Sequence, residues 1–167
     1  MIKLPFIIPE QDLNLKMGTL LTILDCLSFT KRKKPILTLD KISIYDFLVK
    51  HPFVLHEMTK LDQSVPYFLL KDYEKGSIQT KFINKKNLFD YSSTRKTLQI
   101  LLVYQFVDIL TEKNEIYYVI TENGREFIEE IDADYLLRIR ELCDVIVPIT
   151  SIAPSKIKLL INPILGV

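Results

Sequence analysis

Glycine is scarce in this chain of 167 residues, and the four that occur, at 18, 76, 124 and 166, build no phosphate-cradling loop. Without such a loop and its lysine signature, the chain is expected to hydrolyse no nucleotide itself. Cysteine is scarcer, with Cys26 and Cys143 alone, too few for the disulfide framework of a small secreted domain. Both stand among aliphatic residues at helical spacing, so buried thiols are expected. The histidines are His51 and His56, separated by five positions that include Pro52. That spacing does not put both imidazoles on one helical face, so no metal centre and no cofactor are expected. His51 is read instead as a cap of the second helix, and His56 as a surface-loop residue.

Long apolar runs are lacking too. The densest, Ile100-Leu101-Leu102-Val103-Tyr104, falls far short of the ~18 to 20 residues of a membrane span. Pro5, Pro9 and Glu10 interrupt the first residues, which do not read as a signal peptide. The expectation is a cytoplasmic protein with no membrane partner. Charge of one sign is missing overall, with 22 Lys and Arg against 21 Asp and Glu, so nothing draws the whole molecule to nucleic acid. The distribution is uneven: residues 1–89 carry 14 basic and 9 acidic side chains, residues 90–131 carry 4 and 8, and residues 132–167 carry 4 and 4.

What is present is the composition of a folded domain, 48% apolar and 26% charged. Asn14 is expected to cap a first helix presenting Met17, Leu20, Leu21, Leu24 and Leu27 at three- and four-residue steps. Lys31-Arg32-Lys33-Lys34-Pro35 ends it in a solvated loop. A second helix follows Thr38 or Asp40 and closes at His51-Pro52. Residues 53–90 read as loop with one short helix near residues 67–73. Ser92 or Ser93 caps a third helix reaching Gln105 and buried almost all round. Residues 107–110 and 116–120 are β-rich runs around Thr111-Glu112-Lys113-Asn114-Glu115, a hairpin. Thr121 then caps one long helix carrying Ile128, Ile131, Tyr135, Ile139, Leu142 and Ile146 at a mean step of about 3.6 residues. The predicted fold is mainly α with a small β-hairpin, a winged helix-turn-helix domain over residues 1–147 with a long C-terminal helix. Residues 148–167 are a Pro-punctuated apolar extension without an acidic residue.

Helix, helix, buried helix and hairpin is the order of winged helix-turn-helix domains. The run from Tyr117 to Ile128, YYVITENGREFI, resembles the point where the second wing strand turns into the next helix. Further features are Pro5-Phe6, Leu20-Leu21, Leu24-Asp25, Ile44-Tyr45-Asp46-Phe47-Leu48-Val49-Lys50-His51, a hairpin ending in Tyr118, Phe127-Ile128, and Tyr135-Leu136-Leu137-Arg138-Ile139-Arg140. Together, over roughly residues 4–147, they resemble the middle components of prokaryotic three-component ABC-ATPase systems. Residues 53–90 and the tail after Pro148 have no counterpart in that resemblance. It implies a non-catalytic adaptor linking an ABC-type, chromosome-maintenance-like ATPase to an effector protein in defence against invading DNA.

The alternative is a winged-helix DNA-binding transcriptional regulator, with a metal-dependent enzyme well behind. Against DNA reading, the third helix offers Arg95 and Lys96 in its first turn and little else that bonds a base edge, and the hairpin region is acidic. Lys31, Arg32, Lys33 and Lys34, with Arg95 and Lys96, are the candidate contacts to a nucleic-acid backbone, joined by Lys81, Lys85 and Lys86; any binding is expected to be weak and non-specific. Adjacent carboxylates such as Glu129-Glu130 and Asp132 with Asp134 are expected to face water. A second apolar line, Leu136, Cys143 and Val147, and the tail residues Ile157, Leu159, Leu160 and Ile164 are the candidate partner surface. Self-packing of the tail is the equal alternative, and a homodimer is compatible with either.

Overall fold

The helix at the centre of the molecule, α1 (Leu13–Leu27), begins at Asp12, whose carboxylate accepts the N–H groups of Asn14 and Leu15 at 2.9 and 3.3 Å. The cap therefore lies two residues before the expected Asn14, and Asn14 is one of the donors it satisfies. The structure is a computed structural model and describes residues 12–75 and 89–166. Pro5, Phe6, Lys81, Lys85 and Lys86 lie outside the described residues. From Gly18 to Leu24 every side of α1 is covered. Thr19 and Thr22 survive this burial because their hydroxyls donate to the carbonyls of Leu15 and Gly18, at 2.8 and 2.7 Å.

Ser28 closes α1 and joins it to the hairpin, donating to the Leu24 carbonyl and accepting the N–H of Ile120 at 3.2 Å. The basic turn follows: Thr30 N–H donates to Lys34 O at 2.9 Å, and Lys33 takes a φ of 59°. Leu37 then offers its carbonyl to the N–H of Tyr118 at 2.9 Å. Thr38 caps α2 (Leu39–Lys50), and Pro52 opens α3 (Pro52–Leu61), where its missing N–H costs nothing. Residues 53–61, expected as loop, are thus a helix whose Val54, Leu55 and Met58 are buried. The short helix expected near residues 67–73 is a single 3-10 turn, Asp72–Glu74.

Helix α4 (Tyr91–Val103) is capped by Asp90, whose carboxylate accepts the Ser93 N–H at 2.9 Å, rather than by Ser92 or Ser93. It buries Thr94, Thr97, Leu98 and Leu101 but is not surrounded, since Val103 is 82% exposed. Its apolar run continues past the core onto the surface. Strands β1 (Val107–Glu112) and β2 (Glu115–Ile120) pair antiparallel, Val107 opposite Ile120 and Glu112 opposite Glu115. Lys113 and Asn114 supply the two positive-φ residues (49° and 66°) that a tight hairpin matching the sheet twist requires.

The expected long helix is two. Helix α5 (Glu122–Glu129) and helix α6 (Asp134–Ile146) are separated at residues 130–133. Ile131 and Tyr135, in the expected stripe, are more than a third exposed; the even 3.6-residue step ran across the break because apolar residues happen to flank it. Helix α6 lies along α1, Leu136 resting where Gly18 has no side chain. A 3-10 turn, Val147–Ser151, leads to α7 (Pro154–Leu165), which packs on α3 and α2. Ile149, Ile157 and Ile161 have no exposed surface and belong to the same core as α1. The apolar tail is therefore folded back as a helix. Among the described residues the fold is mainly helical with one two-stranded hairpin, and the order α1, α2, α3, α4, hairpin, with Leu37 O bonded to the Tyr118 N–H, is consistent with a winged-helix-like arrangement.

Candidate functional site

The geometry of the turn between α4 and β1 sets the most distinctive surface of the molecule. Phe106 N–H donates to Leu101 O and Gln105 N–H to Leu102 O, both at 3.0 Å, the paired bonds of a Schellman end. Such an end calls for a left-handed residue, here Gln105 at φ 61° where glycine is usual. Thr121 then ties the corner twice: its hydroxyl donates to Gln105 O at 2.6 Å and its N–H to Phe106 O at 3.0 Å. The same hydroxyl accepts the Gly124 N–H at 3.1 Å, starting α5. Gly124 is required here, because a β-carbon would overlap the Phe106 carbonyl oxygen.

This corner carries three rings in a ladder. Tyr104 stacks on Phe106 with centroids 5.7 Å apart, and Phe106 stacks on Phe127 of α5 at 4.5 Å. Tyr104 and Phe127 remain 59% and 39% exposed beside Val103. Phe127 shares α5 with the exposed Glu122, Glu126 and Glu129, Glu130 follows at its end, and Asp108, Glu112 and Glu115 on the hairpin and Asp132 and Asp134 before and at the start of α6 are exposed as well. Arg125 is held by Asp25 at 3.3 Å and lies 3.7 Å from Glu122. The sequence reads Val103 and Tyr104 as core, and Phe127 enters there only as part of the family resemblance, not as a surface residue. The usable signal was the acidic balance of residues 90–131 next to an apolar run longer than one helix face can bury.

The expected partner surface is mostly interior. Leu136, Cys143 and Ile157 are buried, Leu160 and Ile164 are half-buried against the core, and only Val147 (45%) and Leu159 (68%) are open. The stripe on α6 fails as a surface because α1 covers it, and Ile157 fails because α7 turns it onto α2 and α3.

The basic candidates fall on two separate elements. Lys31, Arg32, Lys33 and Lys34 are exposed in the α1–α2 turn, whereas Arg95 and Lys96 are exposed in the first turns of α4. Lys96 borders an open cavity of about 480 Å³ together with Lys16 and Ser93, which hydrogen bond at 3.1 Å, and Asp90.

Cys26 is half-buried and Cys143 buried, and both are free thiols. A hydrogen bond from Cys143 lowers the Cys26 pKa against the opposing effect of burial, with help from the Arg140 guanidinium 3.6 Å away, while the same contact and burial push Cys143 well up. Arg140 also pairs with Asp25 at 2.8 Å. His51 caps α2, its ring stacked on Phe47 at 4.5 Å. His56 is not in a surface loop: it sits on α3 with its side chain 17% exposed, between the rings of Tyr67 and Phe68 at 5.7 and 5.6 Å. No group of three metal-ligating side chains converges among the described residues. No helix among them is long and apolar enough to cross a membrane.

One buried ion pair fixes the segment after α3. Arg138 of α6 clasps Glu74 through two bonds of 2.8 and 2.7 Å, reaches Glu141 at 2.7 Å, and donates to the Leu69 carbonyl at 3.1 Å. Burial raises the Glu74 pKa, but the Arg138 bonds and the Lys71 N–H outweigh it and hold the carboxyl below its ordinary value.

No curated protein and no solved structure is significantly similar to the chain. A family model does match, described as ABC-three component system Middle Component 4, over residues 27–159. The match runs through the segment 53–90 and into α7, both of which the sequence resemblance left aside, and starts only after Leu20-Leu21 and Leu24-Asp25. With so much of its length covered, the chain belongs to the Middle Component 4 family of ABC-three component systems.

Proposed function

We propose that the protein is a non-catalytic adaptor that links the ABC-type ATPase of its system to an effector protein in prokaryotic defence against invading DNA. Membership of a middle-component family implies partner proteins. The observation that supports the reading is the rigid aromatic corner: Tyr104, Phe106 and Phe127 are stacked and held in place while two of the three rings stay open to solvent. Exposed stacked rings on a fixed frame suit binding, because anchors that are already ordered lose little freedom when a partner covers them. Catalysis would need convergent donors or acceptors in a sheltered site, and the reading assigns none to this chain.

The test is co-expression of the tagged chain with the ATPase and effector of its own system, followed by size-exclusion chromatography. The adaptor reading expects one complex containing all three, with nucleotide hydrolysis residing in the ATPase. A chain that binds neither protein removes the reading.

A second reading, contact with a nucleic-acid backbone, is favoured by the exposed Lys31, Arg32, Lys33 and Lys34 turn. It is compatible with the adaptor role and weaker, because the acidic hairpin opposes phosphate.

A further inference from the structure

We infer that the corner made by the end of α4 and by α5 is the docking face for a basic segment of a partner protein, one carrying an aliphatic or aromatic side chain between its lysines or arginines. The inference rests on the adaptor reading and adds the chemistry of what is bound.

Single exposed apolar residues are ordinary on any protein, whereas a contiguous set is informative. Val103 is 82% exposed, and the contact between Tyr104 and Phe127 through Phe106 makes the apolar surface continuous. The backbone beneath it is committed to this shape: Gln105 holds a left-handed φ of 61°, and Thr121 locks both adjoining carbonyls. Unfavourable backbone conformations persist where the surroundings over-determine them, which is frequent at binding sites.

The surrounding charge selects the occupant. On α5, which carries Phe127, Glu122, Glu126 and Glu129 are exposed, Glu130 follows at its end, and the one cation of that helix, Arg125, is already engaged by Asp25. Such a field repels phosphate and acidic segments and attracts cationic ones, raising their rate of encounter. The apolar ladder then holds what the field brings in, since burial of a partner's aliphatic side chain against the rings removes apolar area from water on both sides. Charge alone would give a non-selective surface; the ring ladder and the carboxylates of α5 together specify a basic segment with an apolar anchor.

The test uses the full-length chain and a fluorescent synthetic peptide alternating leucine with lysine. Two control peptides replace either every leucine by serine or every lysine by glutamate. A Val103→Lys, Glu126→Lys, Glu130→Lys variant changes only exposed positions, and circular dichroism verifies its fold. The Leu/Lys peptide is expected to bind the natural chain about tenfold or more tightly than either control, and to lose about tenfold or more on the variant. Equal binding of the Lys/Ser peptide, or no loss on the variant, overturns the inference. So does assembly of the chain with itself through the Lys31 to Lys34 turn at this face, read as dimers that dissociate in the variant. Running the variant in the three-protein co-expression separates the two levels. If the natural chain forms the complex and the folded variant does so equally well, the docking face is wrong and the adaptor stands. If the natural chain forms none, the adaptor reading fails first.

Discussion

The carbonyl oxygen of Phe106 occupies the space in which residue 124 would carry a β-carbon, so Gly124 and Phe106 meet with no room for a methyl group. That contact seats the first turn of α5 against the end of α4. It sets where Phe127 stands relative to Phe106, and hence the ring ladder.

Gly124→Ala is accordingly expected to destabilise the fold by about 1–3 kcal/mol, as overpacking does. A glycine-to-alanine change inside a helix ordinarily stabilises by up to about 1 kcal/mol, so the sign itself is diagnostic. Urea unfolding gives the answer: a midpoint equal to or above that of the natural chain would show that the corner yields freely.

Stability should also depend on Glu74. Its folded-state pKa is depressed below the ordinary 4.5, so its contribution is complete above that value and is lost as pH falls through the lower folded value. Glu74→Gln should cost about 3 kcal/mol at neutral pH, the order expected for breaking a buried pair whose side chains are 4% and 11% exposed. The gap between the two proteins should narrow as pH falls below the ordinary 4.5 and through the lower folded value. A gap independent of pH between 3 and 7 would mean that packing, not the Arg138 ion pair, is what the substitution removes.

Helix α7 is expected to be structural. Ile157→Ala or Ile161→Ala, each at a site with no exposed surface, should lower stability by about 2–5 kcal/mol. Removal of residues 149–167 should lower the melting temperature markedly or cause aggregation. Leu159→Ala, at a position 68% exposed, should change little. A truncated chain that melts like the full one would show that the tail is dispensable to the core.

Duplex DNA should bind weakly, without sequence preference, and with an affinity that collapses as salt rises. Reversing the charges of Lys31 to Lys34 should remove most of it. A footprint on a defined operator at physiological salt, abolished by Arg95→Ala, would instead favour the transcriptional regulator.

Where local chemistry decides, the sequence was readable. Thr121 is the cap expected of it, Thr38 is one of the two residues after which the second helix was expected to start, and the hairpin stands where β-rich runs flank Lys113-Asn114. Misreadings came where tertiary contacts decide. Pro52 was read as an end, yet it also starts α3, because proline terminates one helix and fits the first turn of the next. Periodicity from Ile128 to Ile146 could not register the break at residues 130–133, since Ile131 and Tyr135 keep the even step although they are more than a third exposed. The tail's apolar content announced burial but not against what; α3, itself unread, is its main cover.

The candidate face was hidden for a related reason. Val103 and Tyr104 sit in an apolar run that reads as interior but stand exposed at the end of α4, and the left-handed turn at Gln105 brings Phe106 onto Tyr104 and Phe127. Backbone handedness at a non-glycine residue leaves almost no trace in composition or periodicity. Conversely Leu136 and Cys143, read as a spare stripe, are covered by α1 because Gly18 allows α6 to approach.

Hydrogen exchange on the chain alone and within the assembled three-protein complex locates the surface through which the chain docks. An adaptor that docks through the aromatic corner should gain protection at residues 103–106 and 122–131 on assembly, with residues 154–165 protected equally in both states. Protection appearing elsewhere while the corner exchanges as in the free chain would contradict the docking face, and a chain whose exchange is unchanged everywhere would contradict the adaptor role itself.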